Sequence, residues 1–477
     1  MTIFLCWFAF SVIGCVNPTT TVAENQSSEV IIIGGGASGM ATAKRLLELN
    51  ISPIIIERED RLGGAGIHAG RFFVVDTPWQ IQSGIIDSVE KAIDEWPDFS
   101  GGVAGESIQQ FLHESSQTLS WMEENGASFS SVQKDIGAGS TPRIHKLSDD
   151  IDHPLVQWQA ELLQYSVLNT EITDIEYNQG GFMLQSSDGR QFQSNFVVVA
   201  SGGFARNVDL VEESIPALRN IDWSMEAWPG MTGSGVLLLR SLNIQPSTLN
   251  QLGLYAHSVR DPILGFPEVM IVPALHRGLI VTSDGSRPFN EELTQSIQSG
   301  QLYLQHGPLF AIFDSSLWRG TTFQGLGYNY ETPELLTAEE YQQLTNLPEF
   351  ESIDHIADYL QIPLFQISDT IQEYNDGIAN TSDQFNKDTS MLSPIQTPPF
   401  YIVPLTVTSA KSFGGALTDS NGLISTRSRL YAVGEAAGFL GTSEVGWGFS
   451  GSITSCYTQG KSAAEHISQA IHSSALQ

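Results

Sequence analysis

The chain has 477 residues, too many for one compact core, so two domains are expected. Its 53 acidic residues against 22 basic ones give a net charge of −31. No Lys/Arg-rich run offsets that charge, which excludes nucleic acid and anionic membrane surfaces as partners and suits solubility in a salty or extracytoplasmic setting.

Residues 1–15 form a short apolar stretch, too brief to cross a bilayer. They read as a secretory segment without the usual basic start. Val12-Ile13-Gly14-Cys15 resembles a bacterial lipobox, in which Cys15 would be lipidated and become the mature N-terminus. Residues 16–28 are polar and unpatterned, as a tether would be. The expected location is the bacterial cell envelope, with membrane contact only through that anchor. A plain cleaved signal, leaving a soluble periplasmic or secreted protein, is the alternative.

Val30-Ile31-Ile32-Ile33 is a β-branched run suited to a parallel strand buried on both faces. Gly34, Gly36 and Gly39 then match G-x-G-x-x-G, with Ala37 and Ser38 between the last two. The first glycine permits the tight turn, the second lets backbone approach a pyrophosphate, and the third lets the next helix pack close. Met40–Leu49 reads as that helix, its N–H groups facing the phosphates. A second strand, Ile54-Ile55-Ile56, ends in Glu57, about 20 residues on, where an acidic side chain accepts from a ribose hydroxyl. Arg58 follows it. Strand, helix, strand and terminal acid in order predict a dinucleotide ligand.

Gly63, Gly64 and Ala65 lie in a second flexible loop suited to close approach of a flat or phosphorylated ligand. Residues 85–125 read as helical, with Trp96 and Trp121 packing inward. From Glu171 to Val199 the period shifts toward two, a β-meander ending in the buried strand Phe196–Val199. That strand runs into a third glycine turn, Ala200-Ser201-Gly202-Gly203. Residues 251–411 form a separate block of strands and amphipathic helices. Its acidic stretch 333–390 reads as a solvated helical face, so no metal site is expected. Of three cysteines only Cys456 lies in the body, as a buried helix residue; no internal disulfide or haem site is possible.

With Gly414-Gly415, Leu430–Glu435, Thr232-Gly233-Ser234-Gly235 and Asp284–Glu291 added, the ordered segments resemble the flavoproteins of the fumarate reductase/succinate dehydrogenase family, which includes 3-ketosteroid dehydrogenases. The resemblance covers Glu29 to the end. It implies an α/β fold: a Rossmann-like FAD-binding domain with a β-meander (29–250 and 412–477) and an inserted α+β capping domain (251–411). Glu57 would hold the adenosine ribose, Ala200 to Gly203 would line the AMP half, and Gly434-Glu435 would meet the ribityl-phosphate part. Gly451, Ser452 and Ile453 would donate to the pyrimidine edge of the flavin. Where succinate-oxidising members carry a flavin-bonded His, this chain has Gly64 and Ala65, so the FAD is expected to be non-covalent. His68 is near but out of register.

The substrate half departs from the family. Gln295 stands at the acid position, Lys411 replaces a His before the Gly-Gly turn, and Trp447 falls on the carboxylate-binding Arg. Without the Arg clamp a dicarboxylate would be buried unpaired, which costs several kcal/mol. The expected enzyme therefore passes hydride between FAD and a carbon–carbon bond next to a carbonyl, on a small molecule other than fumarate or succinate, with an unidentified electron donor or acceptor. A flavin-retaining, non-catalytic electron relay is the alternative. Candidate catalytic residues are Lys411 as oxyanion partner or base, His257 as substrate ligand, Arg277 as anion binder and Trp447 as substrate wall. Two of them have a plainer reading: Lys411 as a surface lysine beside a strand, and His257 as a satisfied interdomain histidine. Tyr401 and Glu444 are weaker candidates as acid and base.

Overall fold

The computed structural model describes residues 26–100, 104–134, 139–149, 153–178, 181–246, 252–260, 267–270, 277–295, 299–325, 335–438, 440 and 452–474. Cys15, Glu444, Trp447 and Gly451 lie outside the described residues.

Among the described residues the largest sheet has seven strands. Its parallel part runs in the spatial order Ser166–Val167, Ile54–Ile56, Gln26–Ile33, Gln191–Val199 and Leu430–Ala432. Ile31 pairs with Ile54 on one side and Val197 on the other, and Tyr431 pairs with Val198. Gly181–Ser186 and Ile172–Asn178 extend it antiparallel, which is the expected meander.

The continuous apolar runs follow from burial on both faces. Val30, Ile32 and Val198 pack with Met40 and Ala463, while Ile31, Ile33, Val197 and Val199 pack with Leu238 and Leu239. Each such side chain contributes roughly 2 kcal/mol on leaving water. Helix Ala37–Glu48 begins three residues before the expected Met40, because the glycine turn feeds it directly. It lies against the helix Ser452–Ser474, so the two ends of the sequence share one layer. A Cβ at Gly460 would stand 2.5 Å from Ser38 O, so only glycine allows this crossing. Arg45 and Glu465 bridge the same helices at 2.8 Å.

The intervening block forms a six-stranded sheet and a four-stranded sheet among the described residues. In the first, Thr406–Ser412 lies between Trp223–Met225 and Leu252–Arg260. Trp223–Met225 therefore joins this sheet from the N-terminal side of residue 251. The second orders Leu279–Thr282, Leu309–Phe313, Phe400–Pro404 and Glu349–Phe350, with helices at Ile353–Leu360 and Leu364–Ala379 against it. At its edge Arg287, Glu291, Asp383 and Lys387 make a buried ion cluster, with Glu291 2.8 Å from both Arg287 and Lys387. Two cations face two carboxylates there, so burial leaves no charge unmatched. No helix among the described residues is long and apolar enough to cross a membrane.

Candidate active site

The first glycine loop is shaped by contacts that admit no side chain. Gly34 has φ +103°, and a Cβ there would sit 2.6 Å from Ala200 O. A Cβ at Gly39 would sit 2.0 Å from Gly34 O. Gly36 is different, because a Cβ there would meet no atom within 4 Å, and its backbone is extended. Protein packing gives no reason for glycine at that position. The empty space lies over the N-terminus of helix Ala37–Glu48, which has no side-chain cap. Its first N–H groups and dipole are thus available to an anion.

Glu57 holds the loop from the side. Its Oε2 accepts from Gly35 N at 2.6 Å and its Oε1 from Glu59 N at 2.9 Å, while burial pushes its carboxyl above the usual range. Gly63 N donates to Gly35 O at 2.7 Å, which draws the second flexible loop alongside. Gly202, at φ +77°, likewise has no atom within 4 Å of the place a Cβ would occupy.

The distant segment closes the other side. Gly434, at φ +64°, donates to Gln459 Oε1 at 3.0 Å, and a Cβ there would press on Ser38 Oγ at 2.6 Å. Glu435 is buried and accepts from Ser412 N at 3.2 Å. Desolvation pushes its carboxyl up to about 7. Gly203 packs between Ser412 Oγ and Glu435, where a Cβ would come within 2.1 Å of the hydroxyl.

Together these segments enclose a cleft of about 350 Å³. Gly34, Gly36, Ala37, Ser38, Glu57, Arg58, Gly64 and Ala65 line it on one side. Ala200, Ser201, Gly202, Lys411, Glu435, Ser452 and Ile453 line it as well. Gly39, Gly63, Gly203 and Gly434 stand behind this surface and shape it. Thr170, Glu171, Trp228 and Met231 also line it and were missed. Trp228 lies four residues before Thr232-Gly233-Ser234-Gly235, so a longer reading of that motif would have found it. Cys456 was read as a buried helix residue; it is half-buried and reaches the cleft, one turn after Ser452 on the same helix face.

The candidate catalytic residues divide. Lys411 is in the cleft, with Nζ 3.4 Å from Ser452 Oγ. His257 does not line it; the ring is buried behind, 3.2 Å from Glu226 and stacked on Tyr255 at 4.6 Å. Arg277 is not brought to the cleft at all. It precedes the strand Leu279–Thr282 of the four-stranded sheet, where its carbonyl accepts from Tyr374 OH at 3.0 Å. Tyr401 sits in the same sheet, stacked on Trp318 at 4.5 Å, as a packing residue.

A parallel sheet with a glycine loop at the carboxyl ends of its strands defines a dinucleotide-binding protein. The chain matches the model of the FAD binding domain family over residues 29–450, and it belongs to that family. It is 25% identical to vinyl phenol reductase of Lactiplantibacillus plantarum, over 96% of this chain and 99% of that one. It is 24% identical to the acrylate reductase flavoprotein subunit of Shewanella woodyi, over 95% of each. In fold it resembles a 3-ketosteroid-Δ4-(5α)-dehydrogenase of Rhodococcus jostii, with TM-score 0.72, 20% identity, and 94% and 99% of the two chains covered. An open flavocytochrome c3 fumarate reductase gives TM-score 0.66 at 18% identity, covering 93% and 78%. The expected family and α/β fold are thus confirmed, the cofactor is FAD, and the protein is an oxidoreductase. The residues present fit FAD: open space at Gly36 and Gly202, uncapped helical N–H groups for the phosphates, and Glu57 for a ribose.

Two outcomes follow. Gly36→Ala leaves the unfolding temperature of the FAD-free protein unchanged but weakens FAD binding at least about tenfold, whereas Gly39→Ala destabilises the FAD-free protein itself by roughly 2 kcal/mol or more. Thermal unfolding with and without FAD distinguishes them. Glu435 has a folded pKa above its unfolded value, so its contribution is present below the unfolded value of about 4.5 and is lost as pH rises through about 7. Glu435→Gln removes that loss, and in FAD-free protein it should narrow the stability difference between acid and neutral pH by on the order of 2 kcal/mol in denaturant titrations.

Proposed function

We propose that this chain reduces a carbon–carbon double bond conjugated to a carbonyl or a phenol ring, and that fumarate and succinate are not its substrates. The observation that carries this reading is the placement of Lys411 beside Ser452 in the cleft. The arginines among the described lining residues are Arg58 and Arg61. They follow Glu57, and Arg58 is already engaged by Glu59 and Thr232 at 3.0 Å. No pair of them frames Lys411 as a dicarboxylate clamp would require.

Bound FAD supplies the hydride and is re-reduced by an external donor. For a carbonyl-activated alkene, hydride adds to the β carbon, negative charge moves to the carbonyl oxygen and a proton then completes the α carbon. For a vinyl phenol the terminal carbon must take a proton while the phenol loses its own, and hydride then adds to the resulting quinone methide and returns negative charge to the phenol oxygen. The Lys411 ammonium is placed to meet that oxygen, and a fixed cation in a partly dry cleft stabilises charge as it develops. The names of the two full-length relatives, a vinyl phenol reductase and an acrylate reductase subunit, support reduction over electron relay. Gly64 and Ala65 line the cleft where a covalent His would stand, which supports non-covalent FAD.

Anaerobically reduced protein, mixed with vinyl phenols, enones, acrylate and fumarate, should be reoxidised by the first two and not by fumarate. Lys411→Met should slow that reoxidation on the order of 10²-fold. Acid precipitation should leave the flavin in the supernatant. Indifference to every alkene at full flavin content would establish the relay instead.

We further infer export and lipid anchoring, on the support of Val12-Ile13-Gly14-Cys15 and the polar tether after it. Cys15→Ala should move the protein from the membrane fraction to the soluble one; an unchanged distribution sinks the anchor.

A further inference from the structure

His68 follows the second flexible loop and takes no part in lining the cleft, although Ile67 and Ala69 on either side of it do. Its ring packs instead on the indole of Trp228, with centroids 5.2 Å apart and planes tilted by 41°. Partial burial and the nearby Arg61 favour the neutral imidazole, so one uncharged ring meets another. Trp228 does line the cleft. It therefore stands between His68 and the ligand that the cleft holds.

Trp228 also opens a short segment tied to two walls of the cleft. Toward one wall, Arg206 N donates to Met231 O at 3.0 Å and Gly233 N to Gly203 O at 2.9 Å. Toward the other, Arg58 Nη1 donates to Thr232 Oγ1 at 3.0 Å, and His68 packs on Trp228. The indole folds back over Gly230, where a Cβ would stand 3.0 Å from Trp228 Cδ1 and 3.6 Å from Arg58 Nη2. Arg58 follows Glu57, so the indole lies toward the ribose end of the cleft. We propose that Trp228 contacts the adenosine half of bound FAD and that His68 is its positioning residue, the pair acting as a clasp that retains the cofactor. An indole offers the flat apolar face that a purine accepts, and removing such a ring weakens binding between about fivefold and a hundredfold. The clasp concerns the cofactor alone and is independent of the substrate.

The test follows exchange of bound FAD for excess isotope-labelled FAD in the full chain, read by mass spectrometry of the released flavin. W228A should raise the rate of FAD loss at least about tenfold, while uptake by FAD-free protein changes less than about threefold. W228F, which keeps an aromatic ring, should stay within about threefold of wild type. H68A should speed release about threefold and H68F should not, because the contact is ring on ring. In the double variant W228A/H68A, release should be no faster than in W228A, since His68 acts through the indole. ADP, which carries the adenosine half without a flavin, should compete with FAD for wild-type protein and need roughly tenfold higher concentration for W228A. The same substitutions should leave the unfolding temperature of FAD-free protein nearly unchanged, which separates cofactor contact from a purely structural role.

Equal acceleration of FAD entry and exit in W228A would make Trp228 a gate without contact and overturns the proposal. So does release from W228A at the wild-type rate, or an H68A effect that survives undiminished in the double variant. ADP that fails to compete with wild-type protein, or competes equally with both proteins, removes the adenosine assignment. His68 is exposed, so H68A keeps the clasp testable should W228A fail to fold. Release from H68A at the wild-type rate then sinks it.

Discussion

The structure depends on one close contact, where the first glycine loop meets the last glycine segment across the edge of the central sheet. Gly34 lies against Ala200, Gly39 against Gly34, Gly434 against Ser38, and Gly460 against Ser38 and Ala41. None of these places admits a Cβ without displacing its neighbours. Hydrogen bonds then hold the result: Gly34 N to Ile56 O at 2.8 Å, Ala200 N to Ile33 O at 2.8 Å, and Val433 N to Val199 O at 3.0 Å. Because the helix Ser452–Ser474 is packed on Ala37–Glu48, the C-terminal part of the chain is built into the loop that opens the fold. The cleft exists because segments far apart in sequence must interlock to make its walls.

That constraint explains what could be read from the residues alone. The cofactor half is made of backbone, and backbone of this kind demands glycine, β-branched runs and an acidic strand end at set spacings. Gly34, Gly36, Gly39 and Glu57 announce themselves for that reason. The cluster around His257, behind the cleft, is made of side chains brought together by strand pairing across long intervals. Glu226 meets His257 and Thr408 because Trp223–Met225, Leu252–Arg260 and Thr406–Ser412 are neighbours in one sheet. Nothing local to Glu226 signals this, and a carboxylate before Ala-Trp-Pro reads as a solvated turn. Arg277 failed for the converse reason. Its local sequence suits an anion binder, but the strand it introduces belongs to the sheet away from the cleft.

The acidic composition takes on a different meaning once the cations are located. The Asp284–Glu291 segment, read as a family signature, turns out to hold the capping sheet together through Arg287 and Glu291. Lys387, held by Glu291 and Gly278 O, is neutralised in place and its charge is disfavoured by burial. Arg143 is likewise fully buried between Asp87 and Glu95 at 2.8 Å. In both clusters buried cations are matched by carboxylates before any ligand arrives. Such clusters resist the loss of one partner far more than they add net stability.

Lys411 stands in the cleft itself, with Nζ 3.4 Å from Ser452 Oγ. A cation there is a good partner for charge that appears only during reaction. Interactions of that kind lower the barrier without tightening the ground state. On the proposed alkene reduction, a single lysine in place of a dicarboxylate clamp would change what the cleft binds while still meeting that developing charge.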